Sequence, residues 1–395
     1  MPIKPMIRNN ICLNAHPEGC AANVKNQIEY AKKNLSKTAV SPKLAFVAGC
    51  SNGYGLASRI CAGFGYKAAT VGLSYENEPT EKRSGTPGFY NNNTFDIEAD
   101  KAGLVSITLN GDAYSNEAKE AAVEAVKRAA AKAGIPAKID LFIYSLASPV
   151  RTDPKTGVMH KSVIKPIGGS FSGKTLNIMD GTFSAAEAQG ATEEEIFNTV
   201  KVMGGEDLEL WMDVFDKEEL LSPQTCAAAY TYIGPESSWA IYKNGTIGRA
   251  KEDLERAIRE INKNYTVIKK IRGAWVSVNK ALVTRSSAVI PIIPFYIASL
   301  FKVMKDMGLH EGCIEQIARL YRDRLYTADG NVPVDNENRI RMDDWEMRDD
   351  VQNAVTERVK LITPENVFTE TDILGFKKDF LGVHGFDIDG VDYNT

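Results

Sequence analysis

Short hydrophobic runs alternate along the first part of the chain with longer segments of helical spacing. The runs that predict strands cover residues 44–48, 69–75, 104–109 and 141–144. Helices are predicted between them over residues 56–64 and 116–133, and the second is followed by Gly134 and Pro136. Strands that alternate with helices indicate an α/β fold, a doubly wound parallel sheet of Rossmann type with helices on both faces.

The pattern changes after the fourth strand. Residues 151–157 have the composition of a turn, whereas residues 161–178 carry Thr, Ser, Ile, Val and Gly in short alternations. They predict a small β-hairpin insertion at the carboxyl end of that strand, where open α/β sheets bind their ligands. We expect residues 150–200 to form, with helical additions, a substrate-side lid on one large catalytic domain spanning residues 1–395. A surface loop without a binding role is the alternative.

A second block of helical spacing begins near Ile247, and its apolar residues recur as far as Ile261. It predicts an amphipathic helix with Thr246 as its N-cap. Lys251 then falls within the first two turns of the helix. Tyr242 falls on the loop that leads into it.

Two later segments are strongly apolar. Trp275–Val278 predicts a buried strand. The longest apolar stretch, Ala288–Phe301, is too short to cross a bilayer comfortably and contains Pro291 and Pro294. We expect a buried segment that runs into a helix and is a candidate wall for a ligand pocket. For most of its residues, plain core is the competing interpretation.

Composition narrows the class of protein. The chain is 44% hydrophobic and 25% charged, and its net charge of −4 comes from interspersed residues. Such a balance does not indicate the basic surface that binding to nucleic acid or to an anionic membrane requires. Six scattered cysteines and four dispersed histidines show no metal-ligand spacing, which predicts reduced thiols and no metal site. The amino terminus lacks the apolar core of a signal peptide. We expect a soluble, cytoplasmic monomer.

A glycine-rich turn directly follows the first predicted strand. Residues Gly49 to Gly55 have the spacing G-x-x-x-G-x-G and open a helix. Glycines permit a tight turn and let backbone amides approach a pyrophosphate at the helix amino terminus. Glycines placed there only for packing are the alternative.

Polar and small residues stand where the next strands end. Glu76 lies 27 residues after Gly49, where a carboxylate accepts hydrogen bonds from the adenosine ribose and repels a 2′-phosphate. NADH is therefore favoured over NADPH. Asp112 and Ala113 follow the third strand, at the place of the adenine amino group. Small residues at 145–148 follow the fourth strand and would let a cofactor lie close to the backbone.

Tyr242 and Lys251 form the candidate catalytic pair. Hydride addition to the β-carbon of an enoyl thioester places negative charge on the thioester oxygen, which a tyrosine hydroxyl stabilises as a donor. A nearby lysine can hold the nicotinamide ribose and add positive potential. The spacing of nine residues by itself favours a packing tyrosine and a surface lysine.

The chain resembles the FabV-type enoyl-acyl-carrier-protein reductases and the related prokaryotic trans-2-enoyl-CoA reductases, which are enlarged short-chain dehydrogenase/reductase relatives. The Tyr-x8-Lys signature of these families falls on Tyr242 and Lys251, and their glycine turn falls on residues 49–55. The similarity extends over nearly the whole chain and includes Ile11–Cys12, His16–Pro17, Gly204–Asp207 and Gly385–Asp387.

The resemblance implies NADH-dependent reduction of a short trans-2-enoyl-CoA in fatty acid synthesis or fermentation, with acyl carrier protein as the alternative carrier. Residues 9–17 look nearer to the enoyl-CoA reductases. The resemblance implies that Tyr242 is the proton donor, that Tyr232 contacts the substrate and that Lys251 contacts the cofactor. Further cofactor contacts would be Gly49, Cys50, Ser51, Asn52, Gly53, Tyr54, Tyr75, Glu76, Asp112, Ala113, Leu146, Ala147, Leu282, Val283 and Thr284.

Two other functions compete with this one. A short-chain ketone or alcohol oxidoreductase would use the same crevice but carries Tyr-x3-Lys. Tyr242 lacks that spacing, whereas Tyr265 and Lys269 have it. A non-catalytic NADH-binding sensor would need no tyrosine donor at all. Replacement of Tyr242 by Phe separates these functions from enoyl reduction.

Overall fold

The computed structural model describes residues 3–8, 11–285, 287 and 293–394. Its strands, in chain order, are β1 (Ile7–Arg8), β2 (Ile11–Cys12), β3 (Leu44–Ala48), β4 (Ala69–Ser74), β5 (Ser106–Asn110), β6 (Leu141–Tyr144), β7 (Val150–Thr152), β8 (Met159–Lys161), β9 (Phe171–Leu176), β10 (Phe183–Ala188), β11 (Cys226–Thr231), β12 (Gly273–Val278) and β13 (Arg339–Arg341).

Twelve α-helices connect or follow these strands in the described part of the chain. They are α1 (Pro17–Asn34), α2 (Gly53–Ile60), α3 (Pro87–Lys101), α4 (Asn116–Ala133), α5 (Glu193–Met203), α6 (Glu206–Lys217), α7 (Thr246–Ile261), α8 (Ile293–Asp306), α9 (Cys313–Leu320), α10 (Asp349–Leu361), α11 (Val367–Glu370) and α12 (Ile373–Gly382).

Seven strands form one parallel sheet in the order β13-β12-β11-β6-β3-β4-β5. The predicted doubly wound parallel sheet is confirmed. The strand order reverses between β3 and β6, and a crevice opens outside the carboxyl ends of the strands at such a point. Because all seven strands run the same way, the segments after β3, β4, β5, β6, β11 and β12 meet at one edge.

The central strands are buried on both faces. Phe46 and Phe142 point to one side and pack with Trp211 and Phe215 of α6. Val47 points to the other side, into the cluster that includes α1, α2 and α9. This burial explains the nearly continuous hydrophobic run of β3, which lacks the alternation of a half-exposed strand.

Most predicted bounds hold within one residue, and three elements begin two or three residues away from the prediction: α2, β5 and β12, which begins at Gly273 instead of Trp275. Helix α4 and strand β6 begin and end where predicted. Helix α2 begins at Gly53, three residues early, because the glycines belong to its first turn, and a π-helical turn continues it to Gly65. Strand β5 begins at Ser106, since the Leu104 amide still closes the end of α3 on the Ala99 carbonyl at 2.9 Å.

The insertion after β6 contains two antiparallel hairpins, where one was predicted. β7 pairs with β8 and β9 pairs with β10, so the segment predicted as a plain turn is the tip of the first hairpin. The prediction of Thr246 as an N-cap is wrong, because Gly245 precedes α7 in that position. The Thr246 hydroxyl instead donates to the Val163 carbonyl at 2.5 Å and accepts from the Lys165 amide at 3.2 Å, which fastens the insertion to α7.

A third apolar cluster lies among α8, α10 and α12. Helix α8 begins at Ile293, as the apolar run predicts, while residues 288–292 of that run lie outside the described residues. Asn9 and Asn10, in the segment that resembles the enoyl-CoA reductases, also lie outside them. Every helix in the described ranges is too short or too polar to traverse a bilayer.

Candidate active site

The glycine turn lies at the carboxyl edge of the sheet, between the ends of β4 and β6. Gly49 has a φ of 85°, and its amide donates to the Leu73 carbonyl at 2.8 Å. A Cβ atom on Gly49 would lie 2.1 Å from the Ser145 carbonyl oxygen, so this close approach requires glycine. Gly53, with a φ of 51°, opens α2, and the Asn52 side chain makes no capping bond there. The first amides of α2 are therefore available to an anion.

Glu76 follows β4 and packs against the glycine turn. Its Oε1 accepts from the Ser51 hydroxyl at 2.6 Å and from the Asn52 amide at 3.3 Å. Its Oε2 is buried without a hydrogen-bond partner in the described part of the chain and lies 3.5 Å from the Arg285 guanidinium. A buried carboxylate oxygen that lacks a donor is an acceptor that a ligand hydroxyl can satisfy.

Asp112 and Ala113 lie on the loop after β5. The Lys119 ammonium donates to the carbonyl oxygens of Ala113 and Tyr114, at 3.1 and 3.2 Å, and to the Asp207 carboxylate at 2.7 Å. Lys119 and Asp207 are both buried. A buried ion pair thus holds the backbone of this loop, while the Asp112 side chain is exposed.

The predicted group at residues 282–284 follows β12 and meets the glycine turn. The Thr284 methyl lies 3.5 Å from the place of a Cβ on Gly53. Residues 146–147 follow β6, with Leu146 half-buried and Ala147 exposed. Tyr75, next to Glu76, is 81% exposed.

Tyr232 and Tyr242 pack edge to face, with ring centroids 5.2 Å apart and planes 76° apart. The Tyr232 hydroxyl donates to Glu346 at 3.0 Å. The Tyr242 hydroxyl has no hydrogen-bond acceptor within the described residues. Burial raises the pKa of Tyr242 to about 12, so this unengaged hydroxyl keeps its proton at neutral pH.

Lys251 lies on the second turn of α7, and the loop before the helix is folded back onto it. The Gly248 amide donates to the Tyr242 carbonyl at 3.0 Å. The Lys251 ammonium donates to the Tyr230 carbonyl at 3.2 Å, and the Tyr230 ring packs 5.8 Å from that of Tyr54 in the glycine turn. Burial lowers the pKa of Lys251 to about 8. The fold therefore brings the candidate pair and the glycine turn to one edge.

The backbone just before residues 282–284 is hydrogen-bonded to side chains that were not predicted from the sequence. The Lys280 amide donates to Gln316 at 2.8 Å, and the Lys280 carbonyl accepts from the Tyr54 hydroxyl at 2.8 Å. The Ala281 amide donates to Glu346 at 2.7 Å. Gln316 and Glu346 are each 0% exposed. These hydrogen bonds join the glycine turn to the segment that follows β12.

Tyr265 and Lys269, the Tyr-x3-Lys alternative, lie beyond the carboxyl end of α7. A helix rises 1.5 Å per residue, which puts them about 20 Å from its first turn. The Tyr265 hydroxyl donates to Asp213 at 2.8 Å on the exterior. This pair is therefore not part of the candidate site.

Three sequence families match consecutive parts of the chain. Residues 2–81 match the NAD(P)H binding domain of trans-2-enoyl-CoA reductase, and residues 83–326 match the trans-2-enoyl-CoA reductase catalytic region. Residues 334–395 match a family described as the enoyl reductase FAD binding domain. The first match contains the glycine turn and the second contains the tyrosine and lysine pair.

Individual proteins match over their full length. The Treponema denticola trans-2-enoyl-CoA reductase [NADH] is 55% identical, covering 100% of this chain and 98% of the relative. The Flavobacterium johnsoniae enoyl-[acyl-carrier-protein] reductase [NADH] is 51% identical, covering 100% and 97%. The crystal structure of the Treponema denticola enzyme in complex with NAD has a TM-score of 0.94, with the chains covered to 100% and 98%.

The segment that matches the FAD family does not fit a flavin. The Phe376 and Phe380 side chains are buried against α8. The buried carboxylates Asp343 and Glu346 are already bonded, to Arg341 and to tyrosine hydroxyls respectively. Within residues 334–394 the buried side chains thus close the wall of the neighbouring site, and we assign no step to a flavin.

The catalytic-region match covers more than half of the chain and contains Tyr242 and Lys251, while the NAD(P)H-binding match contains the glycine turn and Glu76. The full-length identity of 55% covers the same residues. The chain belongs to the trans-2-enoyl-CoA reductase family.

Proposed function

We propose that this protein catalyses the NADH-dependent reduction of short trans-2-enoyl-CoA thioesters, of crotonyl type, to acyl-CoA. The observation that carries this proposal is the hydroxyl of Tyr242, which has no hydrogen-bond acceptor among the described residues. It lies with Lys251 at the edge of a parallel sheet that also presents a glycine turn. Membership of the family supports the reaction, and the names of the relatives support NADH as the reductant.

The residues at the edge fit NADH. The first amides of α2 suit the pyrophosphate. The Oε2 of Glu76, which accepts no hydrogen bond from the described residues, suits an adenosine ribose hydroxyl. The exposed loop at Asp112 and Ala113 suits the adenine. Residues 282–284 and Lys251 would hold the nicotinamide ribose side. When bound, NADH supplies the hydride that adds to the β-carbon of the enoyl group.

Tyr242 stabilises the charge that this addition creates. Its hydroxyl donates a hydrogen bond to the thioester oxygen, where the enolate develops. The α-carbon of the enolate then takes the Tyr242 proton, which solvent replaces on Tyr242. A hydrogen bond aimed at the developing charge is stronger in the transition state than in the ground state, so it raises kcat. Lys251 adds positive potential and is fixed by the Tyr230 carbonyl.

Tyr232 contacts the substrate through its ring and its hydroxyl oxygen. Its ring packs on Tyr242, which gives the donor one orientation. The hairpin insertion at 150–200 lies against the loop of Tyr242 through Thr246, and we assign it the role of a substrate-side lid on a single catalytic domain. We also propose that the protein works as a cytoplasmic monomer, without a nucleic acid or membrane partner.

Acyl carrier protein is the second candidate carrier, favoured by the 51% identical relative that bears that name. Both carriers present the same phosphopantetheine arm. NADH oxidation should be followed with crotonyl-CoA, a longer enoyl-CoA and an enoyl-acyl carrier protein. The highest kcat/KM with crotonyl-CoA supports the proposal, and the highest value with the carrier protein would replace CoA by that carrier. Absence of NADH oxidation with all three, together with NADH binding, would contradict enoyl reduction.

A further inference from the structure

Glu346 is a buried carboxylate, 0% exposed, that joins both sides of the candidate site. Its Oε1 accepts from the Tyr232 hydroxyl at 3.0 Å and from the Tyr296 hydroxyl at 2.7 Å. Its Oε2 accepts from the Ala281 amide at 2.7 Å. Burial raises the pKa of Glu346, whereas the Lys280 ammonium and the hydrogen bonds from Ala281 and Tyr296 favour its ionised form, which can only accept hydrogen bonds.

The direction of these bonds decides where the tyrosine protons are. A tyrosine hydroxyl has one proton, and Tyr232 directs its proton to the carboxylate. The Tyr296 hydroxyl is in the same position and accepts in turn from Gln352 at 3.2 Å. Tyr242, whose ring lies against that of Tyr232, has no such acceptor among the described residues. The two adjacent tyrosines therefore differ in whether a proton is free for the substrate.

The other carboxylate oxygen acts on the cofactor side. Ala281 immediately precedes residues 282–284, and both its backbone amide and its backbone carbonyl are hydrogen-bonded to side chains. Glu346 accepts from the Ala281 amide, and the buried Lys280 ammonium donates to the Ala281 carbonyl at 3.1 Å. The same lysine lies 4.7 Å from the centre of the Phe301 ring on α8. One carboxyl group thus fixes both a substrate-side tyrosine and a cofactor-side peptide.

We propose that Glu346 is a positioning residue that sets the division of labour between the two tyrosines. It draws the Tyr232 proton away from the substrate, so Tyr242 is the tyrosine that donates to the thioester oxygen. It also fixes the peptide that leads to residues 282–284. This inference rests on the proposed function and adds to it the reason why one of two adjacent tyrosines is the donor.

Glu346→Gln tests the inference because a side-chain amide keeps the hydrogen bond with Ala281 but reverses the direction of the bonds with the two tyrosines. The Gln oxygen can still accept from the Ala281 amide, while its NH2 group donates to the hydroxyls of Tyr232 and Tyr296. The Tyr232 proton is then released. In a Tyr242→Phe background, Glu346→Gln should therefore restore part of the lost activity, with kcat for crotonyl-CoA at least about fivefold above Tyr242→Phe alone, within the range of a single general acid.

Two matched controls separate this effect from a general change in packing. Adding Tyr232→Phe to the double variant should abolish the restored kcat, because the released proton is gone. Tyr296→Phe in the Tyr242→Phe background should restore nothing, since it leaves Tyr232 bonded to Glu346. NADH binding, followed by its fluorescence, should stay within about twofold across the set, because the bond to Ala281 remains.

Restoration that depends on Tyr232 supports the inference. If the wild type reduces crotonyl-CoA but the folded, NADH-binding variants show no restored kcat, the inference alone is overturned. If the wild type binds NADH but reduces no enoyl thioester, the proposed function and the inference are both overturned. If Glu346→Gln does not fold, Tyr232→Phe decides. A rise in KM for crotonyl-CoA with a kcat loss smaller than that of Tyr242→Phe supports the inference, because Tyr232 then contacts the substrate without donating its proton, and a kcat loss as large as that of Tyr242→Phe overturns it.

Discussion

The ammonium of Lys251 lies 3.2 Å from the carbonyl oxygen of Tyr230, and no carboxylate forms an ion pair with it among the described residues. A half-buried cation whose protein partner is a neutral carbonyl keeps its positive potential for a ligand. The same contact fixes the lysine to the end of β11, next to the segment that carries Tyr232.

NADH affinity should therefore depend on pH through Lys251. Burial lowers the pKa of this lysine to about 8, so the free enzyme loses the charge as the pH rises through 8. The Kd for NADH should increase between pH 7 and 9.5 in a fluorescence titration. Lys251→Met should raise Kd at pH 7 by about tenfold, equivalent to about 1.4 kcal/mol, and remove most of the pH dependence. Lys243→Met, which changes an exposed neighbour, is the control. A pH-independent Kd in the wild type would contradict this role.

The free energy of unfolding should rise with pH, which is the opposite of the effect of a lysine stabilised by an ion pair. The pKa values of Lys251 and Lys280 are both lowered to about 8 by burial, so between pH 8 and about 10 the unfolded chain binds more protons than the folded one. The free energy of unfolding contributed by each group rises with pH across this window, by at most about 1.4 kcal/mol per pH unit. Urea unfolding of Lys251→Met at pH 7.5 and 9 should show a smaller rise than the wild type. An equal rise in both proteins would contradict the lowered pKa.

Glu76 should discriminate between the two nicotinamide cofactors. Its Oε2 pairs with the Arg285 guanidinium at 3.5 Å and accepts no hydrogen bond from the described residues. The carboxylate repels a 2′-phosphate, and Arg285 becomes available to that phosphate once the carboxylate is neutral. We expect wild-type kcat/KM to favour NADH by at least about tenfold, and Glu76→Gln to lower that ratio by about tenfold, or 1.4 kcal/mol. Glu78→Gln, an exposed carboxylate two residues on, should leave the ratio unchanged. Equal wild-type efficiency with both cofactors would rule out this role.

The buried pair of Lys119 and Asp207 should be important for both stability and cofactor binding. Their side chains are 3% and 1% exposed, so Asp207→Asn leaves an unpaired buried cation. Removing one partner of such a pair costs about 3–5 kcal/mol of unfolding free energy. NADH affinity should fall as well, because Lys119 holds the carbonyls of residues 113 and 114. The control is Asp216→Asn, on the same helix as Asp207, which breaks a surface ion pair with Lys270. It should lower the free energy of unfolding in urea by only about 0–1 kcal/mol. Similar losses in both variants would contradict the account.

The parallel sheet and one edge of the site were predictable because their signals are local. A strand, a glycine turn and a helix follow one another within 20 residues of Leu44, and Glu76 stands at the end of the next strand. Parallel strands place such ends side by side, so the sequence order alone implies proximity. The hairpin bounds were less predictable, since short polar strands such as β7 carry little hydrophobic alternation.

The second layer of the site was not predictable in this way. Glu346 contacts Tyr232 across 114 residues of chain, and it stands in the run Asp343–Glu346, whose composition is typical of an exposed acidic turn. Its burial depends on how α8 and α10 close over the end of β12. No local pattern reports that packing, and the same is true of Gln316 and Lys280.

The assignment of Tyr242 is tested most directly by the kcat of Tyr242→Phe with NADH and crotonyl-CoA. The variant loses only the hydroxyl, and the ring contact with Tyr232 remains. We predict a kcat about 100-fold or more below the wild type, with the Kd for NADH within about twofold, because a single positioned donor contributes about 10²–10⁴ to the rate. A kcat equal to that of the wild type would contradict Tyr242 as the proton donor and with it the central claim about this site.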